Sequence, residues 1–383
     1  MAAEITVMSV FGTRPEASKM APVINEMRRG GRIRPLVLVT AQHRQMLDQT
    51  LSVFGVAPDF DLNIMREGQS LADITSRALY GVSEVIRRER PDLVLVHGDT
   101  TTTFASALAA FYEKTAVGHV EAGLRTFDKY QPFPEEINRR FVSAVADLNF
   151  APTAAARDNL LREGVNPATV FVTGNTAVDA MRLTVREDYH FEYDALNDVD
   201  FARNRVIAMT AHRRENIGEP LAEICRAAAQ ILERYPDAAL VYAVHPNPSV
   251  RATAESLLGH APRALLTPPL NMRDMHNLMA RSYLVMTDSG GLQEEAPSLD
   301  VPIVVLRNVT ERPEGLAAGA LALAGTSAEG ITREVSRLFE DSGAYKAMAS
   351  ARNPFGDGRA SERINQAVEY RFGLRAEPPE SFG

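Results

Sequence analysis

The residues whose types can do chemistry fall in short runs, and each run follows an apolar, β-branched segment. Phe11-Gly12-Thr13-Arg14-Pro15-Glu16 follows one such segment, His97-Gly98-Asp99 with the threonines 100–103 another, and Glu121-Ala122-Gly123-Leu124-Arg125 a third. Further along come His212-Arg213-Arg214-Glu215, His245-Pro246-Asn247-Pro248 and Asp288-Ser289-Gly290-Gly291. Carboxylates such as Asp99 and Glu121 can move protons when held at a site away from bulk water. A serine and two glycines opening a helix offer backbone N–H groups to an anion. Arg312, in Thr310-Glu311-Arg312-Pro313-Glu314, can add charge, and Glu294 and Glu295 suit sugar hydroxyls such as those of a ribose.

Structural readings compete with these. Asp99 and the threonines after it can be a helix N-cap, and 288–291 can be a plain tight turn. Glu135 and Glu136 follow Pro132-Phe133-Pro134 and open a helix, where acids favour the macrodipole, so a structural role fits one of the two. Glu121, placed between a buried strand and Ala-Gly, fits a solvated surface poorly. His97 and His119 precede strand ends and read as core or supporting residues; His190, His260 and His276 have no supporting constellation.

The elements that position these runs alternate. Strands are expected at 5–11, 35–40, 93–97, 116–120, 148–151 and 170–173, with helices at 16–29, 71–85 and 101–112. Segment 179–203 is rich in acids and aromatics and reads as a connector. A second series follows, with strands at 205–210, 239–244, 264–267, 283–287, 302–306 and 320–323, then helices at 331–339 and 359–372. Strands apolar on both faces, each followed by a helix, indicate parallel sheets. The fold class is α/β, with two doubly wound Rossmann-like domains facing across a cleft. Residues 1–175 form one domain, 176–358 the other, and the last helix can pack back on the first. Ligands of such sheets bind beyond the carboxyl ends of the strands, where all the polar runs lie.

Composition narrows the function. The 383 residues carry 41 Lys and Arg against 49 Asp and Glu, a net charge of −8. That balance argues against nucleic acid as partner, though a few arginines suffice for one phosphate-bearing ligand. With 45% hydrophobic and 23% charged residues the chain has material for real cores. Its one cysteine, Cys225, reads as a buried hydrophobe. No apolar run reaches the ~20 residues of a membrane span, and 1–11 reads as a strand, not a signal peptide, so a soluble cytoplasmic protein is expected. There is no Walker sequence, no H-E-x-x-H, no metal-spaced histidine cluster and no G-x-G-x-x-G after a strand. Neither a metal nor a nicotinamide cofactor is expected.

Phe11 to Ala17, the His97-Gly98-Asp99 run of threonines, His119-Val120-Glu121-Ala122-Gly123-Leu124-Arg125-Thr126, His212 to Asn216, and Asp288 to Gly291 through Glu294-Glu295-Ala296-Pro297-Ser298 resemble the bacterial non-hydrolysing UDP-N-acetylglucosamine 2-epimerases. The resemblance runs from about Ile5 to the final helix. It implies a fold like that of the GT-B glycosyltransferases, a homodimer, interconversion of UDP-GlcNAc with UDP-ManNAc, and supply of ManNAc for surface polysaccharides.

The chemistry agrees with that family. The C2 proton of the sugar is not acidic, so inversion needs either oxidation beside it, which requires a nicotinamide, or elimination. In elimination UDP leaves C1 as C2 loses its proton, giving a 2-acetamidoglucal; re-addition with protonation on the opposite face gives the epimer. By resemblance Arg14, Lys19, Asp99, Glu121 and His212 form the substrate and catalytic set, with Glu135 a further acid. Ser289, Gly290, Gly291, Glu295 and Arg312 resemble UDP-holding residues, with Leu270 at the uracil end. Met275 stands where the family often has an aromatic. Gln42, Gln45, Gln69, Glu135, Arg213 and His245 resemble a site for a second, activating UDP-GlcNAc, and Gly68 stands where some members carry an arginine. The alternatives are a hydrolysing epimerase releasing ManNAc and UDP, a GT-B glycosyltransferase, and a non-catalytic nucleotide-sugar sensor.

Overall fold

A computed structural model describes residues 5–40, 44–64, 66 and 68–383. The chain divides into two compact units: residues 1–183 with 356–383, and residues 184–355.

In the first unit the order is β1 (Ile5–Phe11), α1 (Arg14–Gly30), β2 (Ile33–Val39), α2 (Arg44–Val53), β3 (Phe60–Asp61), α3 (Leu71–Glu89), β4 (Leu93–His97) and α4 (Thr101–Tyr112). It continues with β5 (Ala116–Val120), α5 (Glu135–Val145), β6 (Leu148–Ala151), α6 (Ala154–Arg162), β7 (Val170–Val172) and α7 (Thr176–Thr184). The strands form a parallel seven-stranded sheet in the order β3-β2-β1-β4-β5-β6-β7. Val7, Met8, Val10 and Phe11 of β1 are all buried, because helices cover both faces of the sheet.

The second unit runs β8 (Arg205–Thr210), α8 (Glu219–Arg234), β9 (Ala238–Ala243), α9 (Pro248–Leu258), β10 (Ala264–Thr267), α10 (Met272–Arg281) and β11 (Leu284–Thr287). Then come α11 (Gly290–Glu295), β12 (Ile303–Val305), α12 (Pro313–Ala317), β13 (Leu321–Leu323), α13 (Ala328–Glu340) and α14 (Ser342–Ala349). Its parallel sheet has the order β10-β9-β8-β11-β12-β13. The chain then returns to the first unit as α15 (Ala360–Arg371), which packs on α1 and buries Ile364, Ala367 and Val368 in that unit's core. Asp179 of α7 accepts the N–H groups of Ala360 and Ser361 at 3.2 and 2.7 Å, capping α15.

Two expectations change. The short edge strand β3 adds to the expected strands; it holds on β2 only at Leu38 and Val39. Segment 179–203 is not a bare connector. Residues 179–184 continue α7, and Phe191 is buried in the second unit's core, stacked with Phe201. Buried Asp274 holds the segment by accepting from Tyr189 Oη and from the N–H groups of Glu192 and Tyr193, at 2.9 to 3.0 Å.

Candidate active site

Both sheets have a switch point, where chain order reverses between neighbouring strands: β1 with β4, and β8 with β11. Loops diverge there and leave room for a ligand. In the first unit the loops are Gly12–Thr13 and Gly98–Thr100; in the second they are 211–218 and Asp288–Ser289.

Glu121 follows β5 directly with φ +65°, a left-handed conformation that costs a non-glycine residue about 1–2 kcal/mol and turns it out of the strand. Lys19, on α1, pairs with its Oε1, and Asn175 Nδ2 donates to the same oxygen at 2.9 Å. His97 Nε2 stands 3.7 Å from Oε2. Burial opposes the charge, but the Lys19 ammonium and the hydrogen bonds from Lys19 and Asn175 outweigh it and hold Glu121 well below the usual carboxylate range. Burial pushes His97 and His119 down to about 4, so both are neutral near pH 7. His119 Nε2 lies 2.7 Å from the Gly98 carbonyl and so braces the loop that carries Asp99.

Asp99 is not the cap of α4; Thr100 is, accepting from the Thr103 N–H. Arg139 of α5 holds Asp99 Oδ2, and Asn138 Nδ2 donates to the Asp99 carbonyl at 2.8 Å. The two acids at the start of α5 differ. Glu136 is fully buried and accepts from the N–H groups of Thr126 and Phe127 at 3.0 and 3.1 Å, a structural duty. Glu135 is half-buried and makes no ion pair among the described residues. Buried Glu16 joins the two loops at the switch point: it accepts from Gly12 and Thr13 N–H and from the hydroxyls of Thr100 and Thr103. Arg14, at the start of α1, is exposed and without an ion pair among the described residues.

In the second unit Asp288 is fully buried and organises the loop after β8. Its Oδ2 accepts from His212 N–H, Arg213 N–H and Asn216 Nδ2 at 2.8 to 2.9 Å, and Oδ1 lies 3.3 Å from His212 Nδ1. The His212 ring stacks on His245 at 5.7 Å. Burial lowers the His212 pKa, with His245 and Arg213 adding to the effect and Asp288 opposing it. Gly290 lies under two guanidinia: a Cβ there would stand 3.3 Å from Arg213 Nη2 and 3.8 Å from Arg312 Nη2. Gly291 faces Glu295 Oε1, at 3.9 Å by the same measure. Ser289 precedes them as the N-cap of α11.

Glu294 is not open to a ribose: it is buried and bound by Arg312 Nε at 2.5 Å. Leu270 is buried in the core, with Met275 packed against the same cluster. Of the expected effector residues, Gln69 Oε1 accepts from Arg66 N–H and Arg77 Nη1. Gln42 and the Gln45 side chain lie outside the described residues. Gly68 has φ +70°, a left-handed conformation that favours glycine.

Sequence reasoning passed over Arg139, Asn175 and His276. Arg139 stands four residues after Glu135, one helical turn along, and Asn175 follows strand β7, so the strand-end criterion applied there would have selected it. No local pattern marks His276, whose partners Thr184 and Glu295 are remote in sequence.

Two doubly wound units with charged, partly buried side chains at their switch points define the class: a two-unit Rossmann-like α/β protein. The family model for UDP-N-acetylglucosamine 2-epimerase matches residues 25–369, and the chain belongs to that family. It is 53% identical to the UDP-N-acetylglucosamine 2-epimerase of Bacillus subtilis (strain 168), over 99% of both chains. The crystal structure of the UDP-GlcNAc 2-epimerase of Neisseria meningitidis bound to UDP-GlcNAc is 43% identical, with a TM-score of 0.84 over 95% of this chain and 99% of that one. The Methanocaldococcus jannaschii enzyme in complex with UDP-GlcNAc and UDP is 32% identical, with a TM-score of 0.76 over 96% of this chain and 100% of that one.

Proposed function

We propose that the protein interconverts UDP-GlcNAc and UDP-ManNAc without releasing the sugar, by elimination and re-addition of UDP. The observation that carries this reading is Glu121, a carboxylate kept ionised by Lys19 and Asn175 next to the loop that holds Asp99. The C2 proton passes to a carboxylate while the C1–O bond breaks and its electron pair leaves with UDP, giving the 2-acetamidoglucal. UDP oxygen then returns to C1 and a proton is delivered to C2 from the other face. Asp99, Glu121 and Glu135 are the proton-transfer candidates, and Arg14, Lys19 and His212 contact the substrate. Ser289, Gly290, Gly291 and Arg312 take the diphosphate, Glu295 the ribose, and Leu270 borders the uracil. The guanidinia over Gly290 suit phosphate oxygens by charge and geometry.

A homodimer fits the exposed Tyr80, Phe111, Tyr112 and Phe141 on the neighbouring helices α3, α4 and α5. Gln42, Gln45, Gln69, Glu135, Arg213 and His245 take an activating second UDP-GlcNAc, and the product feeds surface-polysaccharide synthesis. No described helix is long and apolar enough to cross a membrane, and a cytoplasmic location belongs to the same reading.

The test is incubation with UDP-GlcNAc alone in D2O, followed by NMR, with no nicotinamide or metal added. UDP-ManNAc carrying deuterium at C2 supports the reading. Epimer that keeps protium at C2 overturns the elimination route. Free ManNAc with UDP identifies a hydrolysing enzyme, and reaction only with an acceptor sugar identifies a glycosyltransferase.

A further inference from the structure

His276 lies on α10, 4% exposed, with a partner at each ring nitrogen. Nδ1 lies 2.6 Å from Thr184 Oγ1, and Nε2 lies 3.4 Å from Glu295 Oε2. Neighbouring Asn277 holds the same segment: its Nδ2 donates to the Thr184 carbonyl and its Oδ1 accepts from Arg186 N–H, both at 2.9 Å. Thr184 is therefore fixed through its backbone as well as its hydroxyl.

A neutral imidazole has one donor and one acceptor nitrogen. A carboxylate only accepts, so attraction to Glu295 puts the proton on Nε2. Nδ1 is then the acceptor, and the Thr184 hydroxyl supplies its hydrogen bond. One tautomer satisfies both contacts: Glu295 selects it, and the Thr184 hydroxyl, able to donate, completes it. His276 is the only ion-pair or hydrogen-bond partner of the Glu295 carboxylate among the described residues. At 3.4 Å the contact is long, which steers the carboxylate while leaving it free to accept from a ligand.

Glu295 Oε1 faces Gly291, one residue along from the point where Arg213 and Arg312 converge on Gly290. Two guanidinia beside a lone carboxylate complement a nucleoside diphosphate: phosphates on the arginines, a vicinal diol donating to the acid.

We infer that His276 is a positioning residue that aims Glu295 at the ribose diol of a bound uridine diphosphate, with its ring anchored from behind by Thr184. The inference rests on the reading of the protein as a UDP-sugar enzyme. It makes recognition of the ribose hydroxyls depend on a residue that never touches the nucleotide.

The experiment is calorimetric binding of UDP and of 2′,3′-dideoxy-UDP to the full chain and to folded variants. The wild type is expected to favour UDP about tenfold. His276→Phe should erase most of that preference with affinity for the dideoxy nucleotide unchanged. His276→Gln, whose amide still donates, should keep part of it. Thr184→Val should give a smaller loss of the same kind, and it carries the test if His276→Phe does not fold. With UDP-GlcNAc as substrate, KM should rise in these variants and kcat should not fall. Equal weakening of both nucleotides, or a preference that survives in folded variants, overturns the inference. Equal wild-type affinity for the two nucleotides overturns it while leaving the UDP-sugar reading intact. A wild type that binds neither nucleotide overturns both.

Discussion

Arg139 reaches Asp99 with two nitrogens, Nε at 2.9 Å and Nη2 at 2.6 Å, and both meet the same oxygen, Oδ2. The guanidinium is itself braced, since Nη1 lies 3.3 Å from the buried Glu136 carboxylate. Asp99 thus keeps Oδ1 outside the Arg139 pair, on a carboxylate whose orientation is set from α5.

Lysine cannot reproduce that planar grip. Arg139→Lys is expected to lower kcat about 10- to 100-fold with the fold retained. Steady-state kinetics with UDP-GlcNAc check this, and an unchanged kcat would remove Arg139 from the orientation of Asp99.

Glu121 is charged because Lys19 overrides its burial. Glu121→Gln should cost about 10²–10⁴-fold in turnover. Lys19→Met leaves burial as the dominant influence, so the Glu121 pKa rises and the acid limb of kcat/KM moves to higher pH. A pH profile separates this from simple loss of binding: a variant that is slower but unshifted in pH contradicts the account.

His119 titrates at about 4 in the folded protein, below its unfolded value near 6.5. Between those two values the unfolded chain binds the extra proton. Stability is therefore intact above pH 6.5 and is lost as pH falls toward 4, by about 1.4 kcal/mol per pH unit for this group. His119→Asn has no such proton to gain. Denaturant unfolding at pH 7 and pH 5 should show a smaller loss in the variant than in the wild type, whatever the starting stability.

Gly290→Ala places a methyl against Arg213 Nη2 and Arg312 Nη2. The guanidinia are flexible ends, so the chain should fold normally. The methyl takes up room that a phosphate needs, and UDP affinity should fall about tenfold or more. Normal thermal stability with unchanged UDP binding would move the diphosphate elsewhere.

An effector site has a kinetic signature. Starting from pure UDP-ManNAc, the reverse reaction should show a lag or a very low rate that added UDP-GlcNAc relieves. Gly68 offers no side chain to an effector's phosphates, so activation should be weak and need a high concentration of UDP-GlcNAc. A full initial rate, indifferent to added UDP-GlcNAc, sinks this.

Strands β4, β5 and β8 and helix α4 were legible to the residue, because buried parallel strands are continuous apolar runs and α4 starts at a threonine cap. The strand-end runs were legible for the same reason: polar residues stand out sharply where a buried strand stops. What stayed hidden was set by distance in the chain. Asp274 binding the 189–193 segment, Arg139 on Asp99 and His276 on Glu295 join residues 19 to 85 positions apart or are defined by which face a helix turns inward. Glu294 illustrates the limit: its type and place suited a sugar, but Arg312 had already claimed it.

The return of α15 to the first unit has a consequence for the order of assembly. Residues 1–183 emerge from the ribosome early, yet the helix α15 that packs on α1 is made only after the whole of 184–355. The unit that begins the chain is therefore the later one to finish. Until residues 360–371 arrive, the apolar side chains awaiting Ile364, Ala367 and Val368 are open to other partners, and Asp179 has no helix to cap. Loss of the final helix through a stop codon would thus strip the early-made unit of part of its core while sparing the one synthesised just before it.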